Sequence, residues 1–209
     1  RVFPHSRNPD VSSFNKNIGI YDLTASILSG KYIDTIIHTA GLAHQKTTNK
    51  NELINEYRLV NVELPLYLAS EAIKAGIRRF IFISSIGVNG MFSKAPFKYD
   101  NSPNPMDQYA QSKYEAENEL RQLCANSSLE LTIIRPPLVY GPNAVGSFGA
   151  LLKLTTSGIP LPLGNIRNAR SLVAVDNLID LVKVCIDHPN AANELFLISD
   201  DDDVSTTEL

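Results

Sequence analysis

The chain has 209 residues, of which 44% are hydrophobic and 20% charged, with a net charge of −3. That balance suits one large globular domain or slightly more. No lysine or arginine cluster stands out, which argues against sequence-independent nucleic-acid binding. The longest apolar runs, such as Phe80–Ile83, are strand-sized, so no segment reads as a membrane-spanning helix, and no signal peptide is legible.

In chain order, Arg1–Phe3 is a strand-like scrap. Thr35–Ala40, "TIIHTA", predicts a buried strand. Asn51–Ala75 predicts a helix with Leu53, Tyr57, Val60, Leu64 and Leu68 on one face and Gly76 as its stop. Arg79–Ser85, "RFIFISS", predicts a second buried strand, and a polar loop follows from Gly87 to Pro105. A helix is expected from about Asp107 to Ala125, striped by Ala116, Leu120 and Leu123. Leu131–Pro137 reads as a strand, Phe148–Thr156 as a short helix and Ser171–Val175 as another strand. Asp176 is the expected cap of a helix over Asn177–His188, and Glu194–Ser199 is the last strand. Ser205 and Glu208 have the spacing of a capping box. With no methionine at position 1 and a helix start at its end, the chain reads as an internal piece of a longer protein.

Continuous β-branched runs alternating with amphipathic helices predict an α/β fold, a doubly wound parallel sheet covered on both faces. In such sheets ligands bind beyond the C-terminal ends of the strands. There the sequence places "HTAG", then "SS", then "RPP". Cys124 and Cys185 lack metal-type spacing and read as reduced, buried thiols of a cytoplasmic protein. Neither do His5, His38, His44 and His188 have ligand spacing; His38, ending a strand, reads as structural. The run Asp200–Asp203 reads as a solvated loop rather than a cation site.

Within "QYAQSK", Tyr109 and Lys113 stand at i and i+4 and so share a helix face. A free tyrosine titrates near pH ~10 and is a poor base at neutrality. An ammonium within ~4–6 Å stabilises the phenolate and brings its pKa toward a useful range. Ser84 and Ser85 end the preceding strand, where a hydroxyl can hold a substrate oxygen while Tyr109 exchanges its proton.

Several motifs in register resemble the extended short-chain dehydrogenase/reductases acting on nucleotide sugars, specifically the NAD-dependent epimerase/dehydratases similar to UDP-glucose 4-epimerase. "YDL" (Tyr21–Leu23) resembles the pair contacting adenine. "HTAG" resembles the turn lining the cofactor, and "FISSIGVNG" the strand bearing the active-site hydroxyl, here Ser85. "YAQSK" resembles the catalytic pair, "RPPLVYGP" the segment beside the nicotinamide, and "RSLVAVD" the stretch whose arginine, here Arg170, binds the sugar-nucleotide pyrophosphate.

The resemblance implies a Rossmann-like fold with residues 1–145 as a partial dinucleotide-binding domain. Residues 146–209 then form part of a C-terminal substrate-binding region interleaved with the last strands. It also implies NAD or NADP as cofactor, a UDP-sugar or related nucleotide sugar as substrate, and a homodimer when intact. Tyr109 would be the acid/base, and Lys113 would hold the nicotinamide ribose and lower the Tyr109 pKa. Ser85 would hydrogen-bond the reacting sugar oxygen. Cofactor contacts would come from Arg7, Asp22, Leu23, Thr39, Ala40, Gly41, Asn61, Lys113 and Pro136. Arg7 can pair with a 2′-phosphate or stack on adenine, which leaves NAD and NADP open. Pro65 lacks an N–H, so the Asn61 carbonyl loses its i+4 donor and is expected to hold a water linked to Lys113.

Departures narrow the reaction. Ile86 and Gly87 stand where sugar 4,6-dehydratases carry an Asp-Glu pair, which disfavours dehydration and leaves C4 epimerisation or 4-keto reduction. Leu138 stands where many epimerases present an asparagine. The glycine-rich phosphate loop of the first βαβ unit is not in the sequence and is expected upstream of Arg1. The 209-residue chain alone is therefore expected to be inactive. A non-catalytic dinucleotide sensor on the same fold is the alternative from another class.

Overall fold

The computed structural model describes residues 33–43, 50–142, 166 and 168–208. Arg7, Asp22, Leu23, the scrap Arg1–Phe3 and the helix expected over Phe148–Thr156 lie outside them. The chain divides into two units, Arg1–Ile33 and Asp34–Leu209, and every element named below lies in the second.

Six strands are described: β1 (Thr35–His38), β2 (Arg79–Ile83), β3 (Glu130–Arg135), β4 (Leu138–Tyr140), β5 (Leu172–Ala174) and β6 (Leu195–Leu197). Four of them form a parallel sheet in the order β1-β2-β3-β6, with Phe82 opposite His38 and Ile133 opposite both Phe82 and Leu195. β4 and β5 pair in parallel as a separate two-stranded sheet. The α helices are α1 (Lys50–Tyr57), α2 (Leu64–Lys74), α3 (Gln108–Cys124) and α4 (Val175–Asp187).

Residues alternate across β2, so the two faces of the sheet carry different cores. Ile81 and Ile83, with Ile134 of β3, pack under α4 against Leu178, Leu181, Val182 and Cys185. Phe82 points the other way, under Lys113 of α3. Helices therefore cover both faces, as the unbroken apolar strands require. At the N-terminal edge the buried Arg79 donates to the carbonyls of Cys185, Ile186 and His188. Its cation thus offsets the partial negative charge where α4 ends.

The helix expected over Asn51–Ala75 is interrupted. Arg58–Glu63 winds as a π-helix between α1 and α2, and the Leu64 N–H reaches back five residues to the Leu59 carbonyl. The proline that denies Asn61 its i+4 donor coincides with this widened turn. On α2, Leu64, Pro65, Ala69 and Ala72 are buried, whereas Leu68 is only half-buried. α2 stops where expected: Gly76 sits at φ +70°, and the Gly76 and Ile77 N–H groups bond the Ile73 and Ala72 carbonyls.

Asp176 is not the cap of α4; it lies in the first turn, and Ala174 is the cap residue. A carboxylate from outside the helix takes over. Asp200 accepts from the Ala174 N–H at 2.9 Å, from Asn177 Nδ2 at 2.7 Å and from the Tyr140 hydroxyl at 2.8 Å. The acidic run is therefore partly built into the fold, since Asp203 also accepts from Ser171 at 2.7 Å. Among the described residues no cluster has the makings of a metal site and no helix is long and apolar enough to cross a membrane. Ser205 and Glu208 do cap each other reciprocally. Cys124 and Cys185 are buried free thiols, and burial pushes both pKa values up, Cys124 to about 11.

Candidate active site

Three consecutive residues at the C-terminal end of β2 meet one face of α3. Asp107 fixes where α3 begins, its side chain accepting from the Ala110 N–H at 2.7 Å. From that start Tyr109, Lys113 and Glu117 follow at i, i+4 and i+8 and turn toward the strand end.

Ser85 has left the strand and caps a short 3-10 turn, Ile86–Val88, by accepting from the Gly87 N–H at 3.1 Å. The same hydroxyl faces the Tyr109 phenol and acts to lower its pKa. The phenol is pressed between apolar neighbours: Tyr109 packs on the cluster of Leu42, Tyr57 and Val60, its ring 6.3 Å from that of Tyr57. Burial pushes its pKa up, partly countered by the Ser85 hydroxyl.

Lys113 is almost fully buried. Its Nζ donates to the Ile83 carbonyl at 2.8 Å and lies 4.6 Å from the centroid of the Phe82 ring. Burial lowers its pKa from 10.5 to about 8, while the charge of Glu117 pulls in the opposite direction. The ammonium is engaged by the Ile83 carbonyl, and the phenol's net shift is upward because burial outweighs the effect of the Ser85 hydroxyl.

Gly41 and Asn61 complete this side. A Cβ added to Gly41 would stand 3.4 Å from Lys113 Nζ and 3.6 Å from Asn61 Oδ1, so the turn backbone passes close to both side chains. The buried Asn61 clamps the turn after β1: Oδ1 accepts from the Leu42 N–H at 2.7 Å, and Nδ2 donates to the Leu42 carbonyl at 3.0 Å and to Ser112 Oγ at 2.9 Å. Its side chain thus fixes the "HTAG" turn to both the π-helix and α3, a role that the reading of its carbonyl missed. Thr39 is exposed and Ala40 half-buried on the same turn. Pro136 is buried, and its carbonyl accepts from the Ile86 N–H at 2.9 Å, extending the β2–β3 pairing past Ser85.

Sequence reasoning missed the ionic cluster behind these residues. Glu117, with none of its surface exposed, accepts from Ser84 Oγ at 2.5 Å and takes a two-pronged contact from Arg135, at 2.8 Å from Nε and 2.5 Å from the second nitrogen. Arg135 also donates to Asn89 at 2.8 Å. The signal was present: an acid eight residues after Tyr109 on a buried face, and an arginine closing the apolar strand "LTIIR". Arg170 stands apart from this cluster. It is exposed, and its backbone pairs with Val204 ahead of β5.

A phenol facing a hydroxyl, with a buried ammonium one turn on and glycine backbone alongside, can move a proton to and from a bound hydroxyl or carbonyl. A family model for the NAD dependent epimerase/dehydratase family matches residues 3–199. The chain belongs to that family. A UDP-glucose 4-epimerase of Vibrio cholerae is 45% identical over 205 residues, covering 93% of this chain and 62% of that protein. Among solved structures, the UDP-glucuronic acid 4-epimerase from Bacillus cereus in complex with NAD superposes with a TM-score of 0.78 at 23% identity, covering 88% of this chain and 59% of that one. MoeE5 in complex with UDP-glucose and NAD gives 0.76 at 23% identity, with 90% and 62% covered. These likenesses carry the Rossmann-like fold expected of the epimerase/dehydratase family. The chain spans about three fifths of the length of these three proteins.

Proposed function

We propose that this chain carries the catalytic residues of a nucleotide-sugar 4-epimerase using NAD, with UDP-glucose or a close relative as substrate. The observation that carries the reading is the meeting of Ser85, at the C-terminal end of a parallel strand, with the Tyr109 phenol whose pKa it lowers, and with Lys113 one helical turn beyond. The substrate class is taken from the 45% identical Vibrio cholerae relative.

The residues present fit a dinucleotide. The turn after β1 offers bare backbone at Gly41 in van der Waals range of Lys113 and Asn61, and Asn61 holds that turn in place. Gly41, Ala40, Thr39, Asn61, Lys113 and Pro136 would line the nicotinamide half of the cofactor, with Lys113 on its ribose. Arg7, Asp22 and Leu23 are assigned to the adenosine half. When bound, NAD supplies the hydride acceptor and donor. Ser85 would hold the sugar C4 oxygen, and Tyr109 would remove the proton of the C4 hydroxyl on the way to a 4-keto sugar. Tyr109 would return the proton to the same oxygen as the C4 hydroxyl re-forms with inverted configuration. Arg170 is assigned to the pyrophosphate of the substrate.

Nothing in this cycle requires a second acid–base pair, in keeping with Ile86 and Gly87 following Ser85. A 4-keto-sugar reductase would use the same three residues in one direction. The test is to incubate the full-length protein with a panel of UDP-sugars, with and without NADH or NADPH. Product formed without net consumption of reduced cofactor supports the epimerase, and stoichiometric consumption supports the reductase. Tyr109→Phe should cut turnover by about 10²–10⁴-fold. A protein whose function survives that substitution is a sensor, not an enzyme. The reading further expects the 209-residue chain by itself not to turn over.

A further inference from the structure

The described residues hold a second set of buried ionisable groups that the proposed chemistry does not touch. Glu117 and Arg135 are each at most 2% exposed, and Ser84 is 3% exposed. Burying such a pair gains little stability over apolar packing, so its presence calls for another role.

The connectivity supplies one. Ser84 lies between two residues that the site uses, the last residue of β2 and one just after the strand. On one side Ile83 gives its carbonyl to Lys113, and on the other Ser85 faces Tyr109. Ser84 itself is held by Glu117 at 2.5 Å, and its N–H by the Ile134 carbonyl at 2.7 Å. Helical side chains lean toward the N-terminus, so the heads of Lys113 and Glu117 reach back toward Tyr109 and converge on the strand end. Arg135 at the end of β3 locks the carboxylate, and through Asn89 it ties down the loop that follows Ser85. Tyr57 and Tyr109 lie before the ammonium, His38 lies across Phe82 and Arg135 lies behind Glu117. Of these ionisable groups, Glu117 is the one whose charge acts on Lys113.

We propose that Glu117 is a positioning residue: by gripping Ser84 it sets the end of β2 so that Ile83 meets Lys113 and Ser85 meets Tyr109. This rests on the reading of Ser85, Tyr109 and Lys113 as the reacting set. It predicts that loosening Ser84 disturbs both neighbours at once, although no residue that touches substrate has changed.

Ser84→Ala in the full-length protein tests it, since the hydroxyl is lost without stranding a charge. Turnover should fall about 10–100-fold with KM changed by no more than roughly twofold. The Lys113 titration midpoint, read from its Cε resonance by NMR, should move downward as the Ile83 carbonyl withdraws. Ser84→Thr, which keeps the hydroxyl, should restore both. The paired Glu117→Leu/Arg135→Met protein, with no buried charge left unpaired, should fold yet show the same loss of turnover. Unchanged turnover and an unchanged midpoint in Ser84→Ala would overturn the proposal, whether or not the paired variant folds. If the wild-type protein turns over no UDP-sugar, the functional reading fails on its own, and the Lys113 midpoint still decides the positioning role.

Discussion

Substituting Lys113 by methionine tests the physical account of the site most directly. The side chain is 3% exposed, and burial brings its pKa from 10.5 down to about 8. The unfolded chain keeps the ordinary lysine value, so between about pH 8 and 10.5 it binds more protons than the fold does, and stability rises with pH across that window. Below pH 8 both states are protonated and the fold carries the whole penalty of a buried ammonium. Above 10.5 neither carries it. Integrated from pH 7 to pH 10, the gain is about 2.5 kcal/mol. Methionine fills similar space and does not titrate. At any one pH the substitution mixes relief of that penalty with loss of the Ile83 bond, worth ~1–3 kcal/mol if the carbonyl is left bare. The difference in unfolding free energy between wild type and Lys113→Met, followed against pH, isolates the titration. Urea unfolding at pH 7, 8, 9 and 10 should show that difference growing by about 2.5 kcal/mol in favour of the wild type. A flat difference would mean that Lys113 titrates alike folded and unfolded, and would refute the burial argument.

The same group predicts an activity profile: if the ammonium is the working form, kcat/KM of the full-length protein should fall as pH rises through about 8. A profile flat to pH 10 would remove the charge of Lys113 from the mechanism. Glu117→Ala leaves the Arg135 guanidinium buried with Asn89 as its remaining described partner, and should cost about 3–5 kcal/mol in urea unfolding. Gly41→Ala places a methyl group 3.4 Å from Lys113 Nζ. It should weaken NAD binding measured by calorimetry about tenfold, the equivalent of ~1.4 kcal/mol, with little change in fold stability.

The sheet and the placing of Ser85, Tyr109 and Lys113 together were legible because each is written in local pattern. Unbroken apolar runs marked β2 and β3 as buried strands, and Ser85, Tyr109 and Lys113 lie at a strand end and at helical spacing. What escaped depends on partners distant in sequence. Pro65 announced that the Asn61 carbonyl would lose a donor, but not the π turn there or the bonds of the Asn61 side chain to Leu42 and Ser112. Asp176 had the right residue type for a cap, yet Asp200, 24 residues further on, takes the Ala174 N–H. Helical periodicity marked Ala116 and Leu120 as core and passed over Glu117, because a carboxylate belongs inside only with partners such as Ser84 and Arg135 brought in from neighbouring strands.

The two shifted groups at the site also bear on the order of events. Burial acts on Tyr109 and Lys113 in opposite directions, raising the phenol and lowering the ammonium, because in each case the low-dielectric surroundings favour the neutral form. At neutral pH the resting pair is therefore a neutral phenol beside a cation, set to give a proton more readily than to take one. Removing a sugar hydroxyl proton asks Tyr109 for the opposite. The Lys113 ammonium keeps two N–H groups beyond the one given to the Ile83 carbonyl, and on the proposed mechanism its charge can favour the phenolate from that anchored position. The Ile83 bond then stays in place while Tyr109 acts as a base, and the rigidity of β2's end, held through Ser84, keeps the lysine head where that charge is needed.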